Sequence, residues 1–169
     1  MEPLFTTQTV YSFAEYKRWC LAMSQKRAKI ITGVPIALFL LYAAQFLFEP
    51  IDARSKIFTL IMTAFFCGAL IGLFYIRRNR QIKKTYYSNQ TVQKSGAVTI
   101  DFFDHHLISH GTDGYVEYRY ANCYKIIETK TNFYIMTATN SGIIIVKQNC
   151  TPELIAFLQE LKKKVNIKK

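Results

Sequence analysis

Two uncharged apolar runs, Ile30–Phe48 and Ile57–Ile76, constrain this chain more than any other feature. They are 19 and 20 residues long, and each carries eleven Ile, Leu, Val or Phe. At about 1.5 Å per residue, either run reaches across a hydrocarbon core about 30 Å thick. Neither shows a polar stripe, so each is apolar all round, and a chain of 169 residues has little mass with which to bury both. The first run begins only after 29 residues, and Ala43-Ala44-Gln45 makes a poor small-x-small cleavage site, so it reads as a span and not as a signal peptide. The expectation is a two-helix transmembrane hairpin over residues 30–76, with spans at 30–48 and 57–76.

Charge sets the orientation. Lys26, Arg27 and Lys29 precede the first span, and Arg77, Arg78, Arg80, Lys83 and Lys84 follow the second. In the connection Glu49–Lys56, Arg54 and Lys56 are offset by Glu49 and Asp52, with Pro50 and Asp52 as turn residues. Positive flanks stay inside, which predicts a multi-pass protein of the cell membrane with both termini cytoplasmic. The five basic residues from Arg77 to Lys84 are then placed to touch anionic lipid headgroups, each contributing about 1 kcal/mol near the surface.

Lipid gives helices no hydrophobic drive to associate, so small residues that permit close approach mark contact faces. Ala64, Gly68 and Gly72 fall at four-residue spacing on the second span, and Gly33 and Ala37 lie on one face of the first. They predict packing within the hairpin, with a homodimer as the other use of the ridge. Pro35 leaves the carbonyl of Ile31 without its helical donor, which Thr32 or a neighbour could satisfy. Neither span contains an ionisable residue. A subunit of an oligomeric channel or transporter is therefore the secondary expectation, because ionisable groups mark ion pathways.

The net charge of +11 does not point to nucleic acid. Residues 77–96 carry six Lys/Arg and no acid, whereas 97–150 carry four against five. A nucleic-acid surface needs its basic residues on the folded face, interleaved with stacking aromatics. The four cysteines, Cys20, Cys67, Cys123 and Cys150, form no CxxC pair and read as reduced structural residues.

Outside the hairpin the pattern changes. Residues 1–29 read as a cytoplasmic strand, Thr6 to Tyr11, followed by a helix opened by a Ser12-x-x-Glu15 capping box. Residues 77–96 are a basic juxtamembrane segment, and 97–169 a cytoplasmic C-terminal domain. In that domain we expect strands at 97–103, 107–110, 115–120, 124–129, 133–137 and 143–147, joined as a meander by turns rich in Asn, Asp and Gly. Thr151 then caps a helix begun by Pro152, with Leu154, Leu158, Leu161 and Val165 as its apolar stripe. The fold class is α+β: a transmembrane hairpin followed by an antiparallel half-open β-barrel, pleckstrin-homology-like, closed by the C-terminal helix. Such a barrel wants a seventh strand, which Thr6 to Tyr11 can supply.

The local motif lies in Tyr120-Ala-Asn-Cys-Tyr-Lys-Ile-Ile-Glu-Thr129, then Phe133-Tyr134-Ile135, then Ile143-Ile-Ile-Val-Lys147. In these segments, and in the order of its elements, the chain resembles the YcxB-like family of bacterial membrane proteins. The family pattern has Trp near Tyr120 and Ile-Pro-Lys near Val146-Lys147, where this chain has Tyr and Val. The resemblance implies two membrane helices before a C-terminal domain of this kind, and no established activity.

Nothing in the sequence assembles a catalytic, cofactor or metal site. Asp101, Asp104, His105, His106 and His110 form the one ligand-type cluster, but His106 and His110 on one strand stand about 13 Å apart. Gly111–Gly114 reads as a hairpin turn and not a phosphate loop, and no nucleophile elbow is present. The first two C-terminal strands carry no Lys or Arg between Ala97 and Tyr118, which argues against specific phosphoinositide capture. The function expected is a membrane-anchored cytoplasmic interaction module without enzymatic activity. A protein partner would meet strand edges and tyrosines drawn from Tyr115, Tyr118, Tyr120, Tyr124 and Tyr134.

Overall fold

The computed structural model describes residues 2–48, 52–88, 96–112 and 114–167. In chain order the elements are β1 (Phe5–Val10), α1 (Phe13–Met23), α2 (Gln25–Phe48), α3 (Ala53–Ser88), β2 (Ala97–Phe102), β3 (His106–Gly111), β4 (Gly114–Arg119), β5 (Lys125–Glu128), β6 (Asn132–Met136), β7 (Gly142–Val146) and α4 (Pro152–Ile167). The chain is α+β and divides into two compact units. One is Cys20–Thr85; the other joins Met1–Trp19 to Tyr86–Lys169. In sequence, therefore, the helical unit is an insertion within the β unit.

Within the helical unit, both long helices are long and apolar enough to cross a membrane, and they bury little of that surface. Asp52 caps α3: its carboxylate accepts from the amides of Arg54 (3.1 Å) and Ser55 (3.3 Å), satisfying donors that have no partner in the first turn. The Pro50 half of the expected turn lies outside the described residues. Pro35 sits inside α2 without ending it. Thr32 does not serve the Ile31 carbonyl. Its hydroxyl donates instead to Ala28 O (2.8 Å) and Lys29 O (3.3 Å), the carbonyls its own position on the helix puts in reach.

The β unit holds two antiparallel sheets, ordered β1-β2-β3-β4 and β5-β6-β7. All six expected strands of residues 97–147 are present, with ends moved by a residue or so. The N-terminal strand joins them. Phe5 pairs with Phe102 and Val10 with Ala97, in register along the whole of β1. The meander is not continuous, however: between β4 and β5 the chain turns through a 3₁₀ segment, Tyr120–Asn122, and the two strands do not pair.

The core lies between the two sheets and α4. Alternation places Val98, Ile100 and Phe102 inward on β2, and Phe133, Ile135, Ile143 and Ile145 inward on β6 and β7. Leu154, Leu158, Leu161 and Val165 of α4 are all buried against them, and Thr151 accepts from the Leu154 amide (3.3 Å) as the N-cap. Phe157, which the apolar stripe omitted, meets Phe5, Phe102 and Tyr120 with ring centroids 5.5–6.3 Å apart. Gly142 is fixed by close approach. A Cβ there would stand 2.7 Å from the Ile135 carbonyl oxygen.

Strand β6 is buried on both faces. Its outward residues include Asn132, whose side-chain amide donates to Glu15 of α1 (2.6 Å). Glu15 also pairs with Arg18. The capping box is consequently half made: the Glu15 amide donates to Ser12 Oγ (3.3 Å), while the Ser12 amide donates to Val10 O (2.8 Å). The glutamate has left the box for a tertiary partner. Five aromatics, Phe13, Tyr16, Trp19, Tyr86 and Tyr87, cluster where the chain leaves the β unit and where it returns, and Tyr86 donates to Tyr11 O (3.1 Å).

Candidate functional site

A sheet edge presents backbone donors and acceptors that need partners, and the two sheets have four edges between them. Three are answered within the chain. The edges at β1 and β7 lie against each other, and the 3₁₀ turn Lys147–Asn149 that follows β7 is bonded to β1: the Thr7 hydroxyl donates to Asn149 O (2.8 Å) and the Asn149 side chain donates to Gln8 O (2.7 Å). At β5, the Asn166 side chain of α4 imitates a strand: its oxygen accepts from the Ile126 amide (3.0 Å) and its nitrogen donates to the Ile126 carbonyl (2.9 Å). The fourth edge is β4, where among the described residues the one such bond is the weak donation of the Cys123 thiol to Arg119 O (3.7 Å).

Register fixes which β4 groups are open. The Tyr120 amide donates to His105 O (3.0 Å), so residues two apart along this ladder repeat as hydrogen-bonded pairs. Tyr118, Val116 and Gly114 accordingly turn their backbone groups to β3, while Tyr115, Glu117 and Arg119 turn theirs outward. Gly114 closes the hairpin at φ 137°, a conformation that favours glycine. Asp113 of that turn lies outside the described residues. The strand is exposed almost throughout, with Tyr115 71% and Val116 51% accessible. Beside it runs an open groove of about 490 Å³ lined by Glu117, Tyr118, Arg119, Asn122, Cys123 and Thr137. A second groove, about 700 Å³, continues past Arg119 over Tyr120, Ala121 and the Phe157, Leu161 and Val165 side of α4, with Asp104, His105, Glu160 and Lys164 also along it. Arg119 belongs to both grooves and is largely exposed, and among the described residues its side chain pairs only with Glu117, at 3.8 Å.

The tyrosines expected at a contact surface separate into two groups. Tyr115 and Tyr124 are exposed, and Tyr118 is half-buried. Tyr120 and Tyr134 are core residues, at 7% and 1% exposure. Tyr120 donates to Phe103 O (3.0 Å), and burial pushes its phenol well above the usual range. Tyr134 faces outward from β6, but the surface it would have offered is occupied; burial raises its phenol too.

The ligand-type cluster is dispersed. Asp101 accepts from Thr6 (2.7 Å) and meets His110 Nε2 at 3.0 Å, while His106 stacks on Phe103. Among the described residues no three His, Cys, Asp or Glu side chains gather as a metal site. The charge cluster that sequence reading missed is Glu128 with Lys147 (2.7 Å), Lys162 (2.9 Å) and Gln159 (3.3 Å). Lys147, then Lys162, hold this carboxyl down at about 2. The one carboxylate is held between two ammonium groups, so the cluster clamps β5 and the segment after β7 to α4 and leaves no free carboxylate for chemistry. None of the four cysteines is in a disulfide, and burial raises the thiols of Cys123 and Cys150.

The basic residues Arg77, Arg78, Arg80, Lys83 and Lys84 lie on α3, which continues unbroken to Ser88. All but Arg78 are exposed; its guanidinium lies over the Tyr75 ring, 4.7 Å from the centroid. Residues 89–95 of the expected basic segment are outside the described residues. Ala64, Gly68, Gly72, Gly33 and Ala37 are exposed along their helices. A Cβ added at Gly33, Gly68 or Gly72 would meet no atom within 4 Å, so at these glycines the small faces seat no neighbouring helix within the chain.

These features define an α+β protein in which two helices fit to span a membrane are inserted within a β unit that has one open edge. Residues 102–162, from the last residue of β2 into α4, match the model of the YcxB-like protein family. β1, α1 and both long helices lie outside the matched stretch. No curated protein and no solved structure matches the chain.

Proposed function

We propose that this protein is a membrane-anchored interaction module whose β unit offers the β4 edge to a protein partner at the inner surface of the membrane. The observation that carries the proposal is the contrast among the sheet edges: among the described residues three are met by other parts of this chain, whereas β4 has only the thiol of Cys123 at its Arg119 end. An added strand would gain main-chain hydrogen bonds from Tyr115, Glu117 and Arg119, displacing the weak Cys123 thiol bond at Arg119 O, and its side chains would enter the grooves on either side of Arg119.

In this proposal α2 and α3 cross the bilayer as a hairpin, with both termini cytoplasmic. Two independent features support it. Arg77, Arg78, Arg80, Lys83 and Lys84 follow the second apolar stretch as the positive-inside rule asks, and are placed to meet anionic headgroups. The pairing of β1 with β2 also requires residues before and after the hairpin to share one compartment, which an even number of crossings provides. Four strands, three strands and a C-terminal helix are the complement of a pleckstrin-homology-like half-barrel, with β1 as the seventh strand. Tethering raises the effective concentration of β4 toward other membrane proteins, so a short edge contact suffices.

The test is cross-linking of the tagged full-length protein in membranes, with Glu117→Pro as the control. Proline at an outward-facing position removes a donor from the open edge and leaves the β3 ladder intact. Capture of a protein by the parent and its loss in Glu117→Pro is the expected result. Equal capture by both would refute the edge as the binding surface. Extraction of the full-length chain by carbonate would refute the anchorage.

A further inference from the structure

From the charge pattern of the open edge we infer that β4 pairs with β4 of a second copy of this chain, antiparallel about a two-fold axis at Tyr118. The inference rests on β4 being the binding surface and specifies its partner. Side chains on the outward-facing positions of the edge run Tyr115, Glu117, Arg119, an acid followed two residues later by a base. An antiparallel partner that complements this order must itself read acid-x-base. β4 does so.

The two-fold axis selects one register. Centred on Tyr118, Glu117 of each copy stands opposite Arg119 of the other, twice over, and these are the positions whose backbone groups point outward to pair. Centred on Glu117 or on Arg119, like charges would stand opposite one another. Centred on Val116, Glu117 would face Tyr115, and Arg119 would fall beyond the end of the partner's β4, so that no Glu117 would meet an Arg119. Among the described residues the Arg119 side chain has only the 3.8 Å approach to Glu117, so it can take the better-placed carboxylate of a neighbour. Charged residues on an edge ordinarily discourage indiscriminate pairing; here opposite signs in a self-complementary order favour the register centred on Tyr118 and repel those centred on Glu117 and Arg119. The contact is short, and membrane tethering supplies the concentration it needs.

The axis also predicts a chemical signature. Tyr118 would face its own copy in a non-hydrogen-bonded pair, with Cα atoms about 4.5 Å apart, a separation that admits a disulfide. In liposomes carrying the full-length protein, Tyr118→Cys is expected to give a disulfide dimer on mild oxidation, well above the background of the native cysteines, and Val116→Cys is not. Since Tyr118 also packs on the core, energy transfer between labelled copies of otherwise native protein is the second measurement. Glu117→Arg should lower that transfer at least tenfold, and the double variant Glu117→Arg, Arg119→Glu, which restores the order in reverse, should recover it. Transfer that is unchanged in Glu117→Arg, or lost only in Gly68→Leu, would overturn the inference and assign self-association to the helices. A dimer from Val116→Cys and none from Tyr118→Cys would overturn the register. Capture of a different protein that is lost in Glu117→Pro, with no Tyr118→Cys dimer, would overturn self-pairing and leave the interaction-module proposal standing.

Discussion

Removing β1 should unfold the β unit, although β1 lies more than 80 residues before β2 in sequence. Six residue pairs join β1 to β2. At a net 0.5–1.5 kcal/mol per hydrogen bond, a ladder of that length contributes on the order of 5 kcal/mol. The strand also buries Thr7 and Thr9, packs Phe5 on Phe157, and carries the Thr7–Asn149 and Asn149–Gln8 bonds that close one side of the two sheets. Folded domains have roughly 5–15 kcal/mol in all, so the loss is comparable with the whole. A fragment of residues 86–169 should therefore lack a cooperative thermal transition and be degraded quickly by trypsin. Residues 1–19 joined to 86–169 through about eight Gly/Ser residues should restore both properties. Such a linker reaches about 15 Å, and Tyr16 stands 5.5 Å from Tyr86 and 5.6 Å from Trp19 by ring centroids. Circular dichroism melts of the two polypeptides decide the matter. Equal midpoints would refute the assignment of β1 as an integral strand.

Other substitutions probe the core and the Glu128 clamp. Leu158→Asp places a charge at a fully buried position of α4 and should destabilise the β unit by roughly 3–5 kcal/mol, read by proteolysis of the full-length protein in detergent. Gly142→Ala sets a Cβ 2.7 Å from the Ile135 carbonyl oxygen and should cost roughly 1–3 kcal/mol; an unchanged melting temperature would show that β6 and β7 separate freely. Glu128→Gln should cost roughly 1.5–3 kcal/mol near neutral pH by weakening charge-assisted bonds to Lys147 and Lys162. Because the folded Glu128 carboxyl titrates at about 2, below its ordinary 4.5, its contribution is fully present above about 4.5 and disappears as pH falls toward 2. The stability difference between parent and Glu128→Gln should follow that course, and a difference that grows on acidification would refute the clamp.

Local rules were legible in the sequence wherever one residue's neighbours along the chain decide its state. Alternation located β2 to β7 to within a residue or so, Thr151 and Pro152 marked the start of α4, and the spacing of Leu154, Leu158, Leu161 and Val165 gave its buried face. The two apolar helices follow from composition alone. Tertiary structure decided what depends on distant partners. Glu15 obeys a local capping rule on paper, yet Asn132 sits 117 residues away and takes its carboxylate. Tyr134 alternates outward on β6 like a surface residue, but both faces of that strand are covered and it is buried. The Glu128 cluster unites residues from β5, the segment after β7, and α4, and no spacing signals it. The open edge is of the same kind. Sequence can say that β4 is a strand, but which strand lies at an edge, and which edges Asn149 and Asn166 close, depends on pairing between segments whose separation in the chain carries no record of their neighbours in space.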